Sequence, residues 1–360
     1  MNAPFRLPTT PCADADALQV LIVDDSAVAR ALMSRMVATT PGFVVADAVG
    51  SVAAALQVLP SVRVDLIILD VEMPGVDGLT ALPDLIASAG GARIVVVSSM
   101  CGEGATATIR ALALGAADTV AKPGMGERTS RFEGELIEKL ERLRGAALSR
   151  SRTAGTGVAR MSIPRTQAYD LIAIGASTGG IHALSRLVCA LTEDFTLPIL
   201  ITQHLPPSFM AYFAAQLSVL AKRPCDVATD RMRIQPGRII IAAGDSHMRC
   251  VALGGRNAAI RLTHEPVSSG CMPSVDPMLE SVAEVYGDRA LAIVLSGMGR
   301  DGAEGARIIH DRGGSVIVQD EESSVVWGMP GAVAATGIAA ATMPPDAIGQ
   351  FVASHRRVPC

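Results

Sequence analysis

Ser177 closes an aliphatic run, Asp170-Leu-Ile-Ala-Ile-Gly-Ala-Ser177-Thr-Gly-Gly180, and Ile181, Leu184, Leu187, Val188 and Leu191 follow at helical spacing. Gly175-Ala-Ser177-Thr-Gly179 fits the Gly-x-Ser-x-Gly pattern, in which small neighbours let a serine hydroxyl stand clear of the backbone. A hydroxyl is a weak nucleophile until a base takes its proton. Two histidines follow aliphatic runs, and an ordinary pKa of about 6.5 suits either of them to that role. They are His204, after Leu197–Gln203, and His247, after Arg238–Asp245. A third run, Leu291–Leu295, gives way to Ser296-Gly-Met298-Gly-Arg-Asp301-Gly302. Serine, imidazole and carboxylate are the parts of an acyl-transfer triad. Glycines around Met298 and after Ser177 free backbone N–H groups to bind an oxyanion. Plainer roles exist for each residue. Ser177 would cap the following helix, His204 would be a structural histidine, and Asp301 would cap the helix bearing Ala303, Ala306 and Ile309. On the residues alone, His204 and His247 compete evenly as the base.

A second constellation lies in the first half. Asp24 and Asp25 end one aliphatic run, Asp70 another, Ser98 and Ser99 a third, and Lys122-Pro123 a fourth. Carboxylates converging on one edge repel each other unless a cation joins them, and all-oxygen ligation suits a hard divalent ion such as Mg²⁺. A lysine and a hydroxyl beside them would hold the remaining oxygens of a phosphoryl group.

Both constellations need the same scaffold. Runs at Leu18–Val23, Phe43–Ala46, Leu66–Leu69, Ile94–Val97 and Asp118–Val120 alternate with helical patterns, which predicts a parallel sheet with helices on both faces. After Asp170 the same alternation recurs. The predicted class is α/β, with two doubly wound parallel-sheet domains whose chemistry lies beyond the carboxyl ends of the strands.

Composition narrows the function. At 360 residues the chain suits two domains, and 49% apolar content supplies both cores. A formal charge of −4 argues against a general nucleic-acid or anionic-membrane binder. No apolar run approaches the roughly 20 residues that cross a bilayer. The 7 cysteines include no Cys-x-x-Cys pair and suit reduced thiols in the cytoplasm. Residues 1–17 read as a disordered lead-in, and 144–168, basic and without an acidic residue, as a flexible linker. No aromatic residues accompany its arginines as a nucleic-acid arm would require.

Val-Asp24-Asp25-Ser, Asp70-Val-Glu-Met-Pro-Gly-Val-Asp-Gly, Ser98 and Lys122-Pro resemble a response-regulator receiver domain over 18–143, flavodoxin-like in fold. The resemblance implies that Asp70 accepts a phosphoryl group from a sensor histidine kinase. It implies Mg²⁺ on Asp24, Asp25 and Asp70, and Ser98 and Lys122 as the switch pair. Thr119 stands where such receivers carry an aromatic residue. Gly175-Ala-Ser177-Thr-Gly-Gly, Gln203-His204, Ala242-Ala-Gly-Asp-Ser-His247, Pro273-Ser-Val-Asp276, Ser296-Gly-Met298-Gly-Arg-Asp301-Gly and Gln319–Pro330 resemble the catalytic domain of chemotaxis protein-glutamate methylesterase/glutaminases over 169–353. Ala243 departs from that pattern, which has a proline before the glycine. This second resemblance implies the triad Ser177, His204 and Asp301, with the backbone amides of Thr178 and Met298 as oxyanion donors and no cofactor in this half. It implies a cytoplasmic, phosphorylation-activated serine hydrolase acting on methyl esters and glutamines of chemoreceptor cytoplasmic helices. No nucleic acid and no membrane insertion are expected. The two-domain layout further suggests that the unphosphorylated receiver packs over the Ser177 edge. A receiver-controlled transcription factor would carry a smaller, basic output module. A nucleotide-binding loop would need Gly-x-Gly-x-x-Gly or Gly-Lys-Ser/Thr, and Gly175–Gly180 has neither.

Overall fold

The computed structural model describes residues 17–73, 78–98, 103–122, 129–152, 168–255 and 257–354. The first half runs β1 (Leu18–Val23), α1 (Ala27–Thr39), β2 (Phe43–Val49), α2 (Val52–Val58), β3 (Leu66–Asp70), α3 (Gly78–Ser88), β4 (Arg93–Ser98), α4 (Glu103–Leu114), β5 (Asp118–Ala121) and α5 (Thr129–Arg152). Strands β1, β3 and β4 are almost wholly buried aliphatic runs, which requires cover on both faces and therefore parallel pairing through helical crossovers. The five strands pair in parallel in the order β2-β1-β3-β4-β5. That order reverses between β1 and β3, so a crevice opens where Asp24, Asp25 and Asp70 end their strands. Residues 1–16 of the expected lead-in lie outside the described residues. The expected linker begins too early, because α5 continues to Arg152. Leu143, Ala146, Ala147 and Leu148 are strong helix formers, and Gly145 alone costs only about 1 kcal/mol. Residues 153–167 are outside the described residues.

The second half runs β6 (Leu171–Ala176), α6 (Gly180–Cys189), β7 (Ile199–Gln203), α7 (Pro207–Ala221), β8 (Cys225–Val227), β9 (Ile239–Ile241), β10 (His247–Gly254), β11 (Asn257–Thr263), α8 (Val275–Tyr286), β12 (Ala290–Val294), α9 (Ala303–Asp311), β13 (Ser315–Gln319), α10 (Met329–Ala334), β14 (Ala341–Met343) and α11 (Pro345–Ser354). Seven of these strands form a parallel sheet in the order β14-β13-β12-β6-β7-β9-β8. The chain builds outward from β6 through β7, then returns to lay β12 on its other side. The switch point therefore lies at β6. One departure from an all-parallel domain is the antiparallel hairpin β10–β11, which packs on α8. Gly254 and Gly255 both take positive φ (99° and 59°), the conformation that reverses a strand over a short turn.

The halves share a core. Leu82, Leu85, Ile109 and Leu112 of the first half belong to the same buried cluster as Leu184, Leu187, Phe209 and Phe213 of the second. Helix α4 lies against α6 and α7.

Candidate active site

Strand β6 is buried throughout and delivers Ser177 to the switch point. The Ser177 N–H donates to Ser296 C=O (3.0 Å), tying the turn to the end of β12. Gly175 and Gly180 are there for lack of space. A Cβ on the former would come 2.4 Å from Val275 Cγ1, and on the latter 2.5 Å from Gln203 Oε1. Gly179 takes φ 77° and is itself the N-cap of α6, so Ser177 is not the cap of that helix.

His204 follows β7, and its N–H donates to Ala176 C=O (3.0 Å). Its Nε2 lies 2.8 Å from Asp301 Oδ2. Asp301 is 3% exposed and caps nothing on its own helix, where Gly302 is the N-cap. It is instead held by the start of α8. Ser274 Oγ donates to Oδ1 (2.6 Å), and the N–H groups of Val275 and Asp276 donate to Oδ2 (2.8 Å) and Oδ1 (3.3 Å). Burial alone would raise this carboxyl, but the hydrogen bonds from His204, Ser274 and Val275 outweigh it and hold it below the usual carboxylate range. A buried carboxylate bonded to imidazole fixes the ring's tautomer and orientation. Because Nε2 faces Asp301, Nδ1 is the nitrogen left for a substrate or serine proton.

Ser177 and His204 line one cavity of about 490 Å³. Among the described residues no hydrogen bond joins the Ser177 hydroxyl to the imidazole. Such bonds are often long before substrate binds. The amides of Thr178 and Met298 likewise have no backbone acceptor among the described residues, which leaves both N–H groups available. Gly297 permits their approach, since a Cβ there would lie 2.8 Å from Ser177 Cβ and 2.3 Å from Met329 Sδ. Met298 is 42% exposed.

The competing base is removed from the chemistry. His247 is fully buried. Its Nδ1 accepts from Ser274 N–H (3.0 Å), and its Nε2 lies 3.0 Å from Glu265 C=O. Both ring nitrogens are thus taken by backbone, with the proton on Nε2. His247 positions Ser274, which in turn holds Asp301. Ser274, Gln203 and Ser296 are the residues sequence reasoning passed over. Gln203 Nε2 donates to Ser177 C=O (2.9 Å) and His204 C=O (3.3 Å), clamping the candidate nucleophile and base. The Ser296 hydroxyl donates to Thr178 C=O (2.8 Å) and accepts from Val326 N–H (3.0 Å). All three stand within the motifs named above, but nothing in their types announces these contacts.

In the first half, Asp24 and Asp70 are each 1% exposed, Asp25 is exposed, and carboxylate oxygens of the three lie within 4.8 Å of one another. Burial, and then the neighbouring Asp70, push the Asp24 carboxyl up, against the pull of a hydrogen bond from Ser26 N–H. Lys122 Nζ donates to Asp70 Oδ2 (2.7 Å). An all-oxygen, doubly buried trio that repels itself fits a hard dication. Ser98 is buried at the end of β4, where its hydroxyl donates to Gly104 C=O (3.1 Å) and accepts from Thr108 (2.8 Å).

The two sites are joined through β5. Thr178 Oγ1 donates to Asp118 Oδ2 (3.0 Å), Gly179 N–H to Ala117 C=O (3.1 Å), and His182 Nδ1 lies 2.9 Å from Ala113 C=O. Lys139 of α5 bonds the other Asp118 oxygen (2.9 Å) and the Thr119 carbonyl. Thr119, Lys139 and Arg142 line the cavity of Ser177 and His204 from the opposite side.

Known proteins bear on this arrangement. The family model described as CheB methylesterase matches residues 172–352, and that described as response regulator receiver domain matches 20–130. The chain is 40% identical over 345 residues to protein-glutamate methylesterase/protein-glutamine glutaminase 2 of Caulobacter vibrioides, covering 94% of this chain and 99% of that protein. It is 39% identical over 365 residues to protein-glutamate methylesterase/protein-glutamine glutaminase 1 of Rhodospirillum rubrum, covering 93% and 94%. Among solved structures, the CheB methylesterase catalytic domain of Thermotoga maritima is 34% identical, with a TM-score of 0.50, and covers 51% of this chain and 97% of its own.

Proposed function

The chain belongs to the CheB methylesterase family and carries a response regulator receiver domain, and from that premise we propose that it hydrolyses γ-glutamyl methyl esters, and deamidates glutamines, on the cytoplasmic helices of chemoreceptors. It is a carboxylic ester hydrolase. The observation that carries the residue assignment is the His204–Asp301 pair (2.8 Å) opening on the same cavity as Ser177.

Ser177 Oγ attacks the ester carbonyl carbon as His204 Nδ1 takes the hydroxyl proton. The carbonyl oxygen becomes an oxyanion, and the N–H groups of Thr178 and Met298 donate hydrogen bonds to it. Collapse breaks the bond to methoxide, which leaves as methanol with the proton from His204. Water then gives its proton to His204 and attacks the acyl-serine, and Ser177 leaves with that proton, freeing glutamate. With a glutamine substrate, ammonia replaces methanol. Asp301 stays ionised and balances the imidazolium in both steps.

Asp70 is the proposed phosphoryl acceptor, with a sensor histidine kinase as donor and Lys122 beside the incoming oxygens. Mg²⁺ held by Asp24, Asp25 and Asp70 would neutralise charge on the transferring group. Contact of Ala117 and Asp118 with the Ser177 turn supports a closed state in which the receiver denies a bulky helix access. Phosphorylation then shifts the population toward an open arrangement. Such a cycle, resetting receptor methylation, would give sensory adaptation. Among the described residues no helix is long and apolar enough to cross a membrane, and we place the enzyme in the cytoplasm with its substrate.

Methanol release from methylated receptor membranes tests this reading, with and without a small phosphodonor. Ser177→Ala is expected to release none, and Asp70→Ala to lose stimulation. Full activity in Ser177→Ala would sink the assignment.

A further inference from the structure

Cys271 lies in the loop before α8, where it is half-buried and lines the cavity of Ser177 and His204. A His204 ring nitrogen, Cys271 Sγ and an Asp301 carboxylate oxygen all lie within 4.8 Å of one another. Sulfur, imidazole nitrogen and carboxylate oxygen are the donors that Zn²⁺ takes in tetrahedral sites, with Zn–S about 2.3 Å and Zn–N about 2.0–2.1 Å. Around one such ion neighbouring donors sit roughly 3.3–3.8 Å apart by those bond lengths. His204 Nε2 and Asp301 Oδ2, now 2.8 Å apart, would part by about 0.5 Å, and Cys271 Sγ would close by on the order of one ångström. Two donors are already oriented. Asp301 is held by Ser274 and the start of α8, and His204 by its backbone bond to Ala176 and by Gln203. Cys271 is the adjustable member, its Sγ making among the described residues a single hydrogen bond, to Ser269 C=O (3.8 Å). The outer contacts that fix ligand orientation in metal sites are thus present before any metal arrives.

We propose that His204, Cys271 and Asp301 form an inhibitory site for a borderline-to-soft divalent metal, Zn²⁺ being the type case, which takes the base out of the triad. The metal takes His204 Nε2, whose proton moves to Nδ1, and displaces one proton to solvent, from the Cys271 thiol. No electron is transferred. Binding strengthens as pH rises, because protons compete for the same atoms. With Nε2 on the metal and the ring proton on Nδ1, His204 no longer accepts the Ser177 proton. This site differs in kind from the all-oxygen trio of the receiver, which suits Mg²⁺. The inhibitory consequence rests on His204 as the proposed base, whereas metal binding does not.

The test uses the full chain in excess Mg²⁺, so that the receiver carboxylates are occupied. Co²⁺ added to wild type is expected to give a thiolate-to-metal charge-transfer band in the near ultraviolet and strong tetrahedral visible bands, both lost in Cys271→Ser. Zn²⁺ is expected to stop methanol release reversibly, a chelator restoring it, and Cys271→Ser is expected to need at least about tenfold more zinc for half inhibition. Cys189→Ser, altering an exposed thiol elsewhere, should behave as wild type. A wild-type chain without the thiolate band overturns the site, as does equal zinc sensitivity in Cys271→Ser. A thiolate band in an enzyme that zinc leaves active overturns the inhibitory role and points to His204 not being the base. The cobalt measurement reads the site even in a chain that hydrolyses no ester, which keeps the two failures apart.

Discussion

Asp301 receives hydrogen bonds from His204, Ser274, Val275 and Asp276, and this cradle turns a buried carboxylate into a fixed negative charge behind the His204 imidazole. Asp301→Asn keeps the shape but reverses donor and acceptor, so kcat is expected to fall by about 10⁴ with KM little changed. Steady-state kinetics on a methylated receptor fragment decides it. Ser274→Ala removes one charge-assisted bond and is expected to lower kcat on the order of tenfold. Neighbouring Asp276 has the opposite fate. Burial first, then Asp301, raise its carboxyl, although Gly305 N–H donates to it (2.8 Å). A carboxyl whose folded pKa exceeds its unfolded value favours folding at low pH and loses that contribution as pH rises through the raised value. Asp276→Asn is therefore expected to raise the melting temperature at pH 8, with the gain shrinking toward pH 5. A pH-independent difference would count against the raised pKa. The three members of the proposed triad were legible as candidates because each follows an aliphatic run, and strand ends share one edge of a parallel sheet. Ser274 and Gln203 were not, because their roles consist of contacts made only once β7, β12 and α8 meet.

At the scale of elements, uniform aliphatic runs such as Leu66–Leu69 and Leu291–Val294 admit little but a strand buried on both faces. That is why both central sheets could be read. The hairpin β10–β11 was missed because Arg249 and Arg261, paired across it, interrupt its apolar pattern, so its strands do not read as core. The end of α5 was misplaced because composition without acids resembles a linker, whereas helix propensity there remains high. Conversely, the glycines of the Ser296–Gly302 turn were visible and read as freeing N–H groups, but their packing was not. Gly297 lets that turn lie against Ser177 with no room for a methyl group. Gly297→Ala is expected to displace the Met298 amide and lower kcat by roughly 10², since misplacements near 1 Å cost that much. Its stability loss should stay within about 1–3 kcal/mol, as for other overpacked sites. Circular dichroism and denaturant titration alongside kinetics separate the two effects.

Over the whole molecule, the receiver reaches the hydrolase through a residue that belongs to neither chemistry. Asp118 begins β5, accepts from Thr178 next to Ser177, and is gripped by Lys139 of α5. Thr119 follows it without an aromatic ring, so in the proposed cycle the link between phosphorylation and release would run through backbone and Asp118. Removing the carboxylate would weaken the proposed closed arrangement without touching Asp70, Ser177 or His204. A hydrogen bond of this kind contributes about 1 kcal/mol, enough to change the open population several-fold. Asp118→Ala is thus expected to raise methanol release by the unphosphorylated chain about three- to tenfold, within the range that bond strength permits. Activity with a saturating phosphodonor should stay near wild type, so the stimulation ratio falls. Basal release equal to wild type in Asp118→Ala, in a chain that still responds to the phosphodonor, would mean that closure is held elsewhere, with His182 and Ala113 the next contact to break.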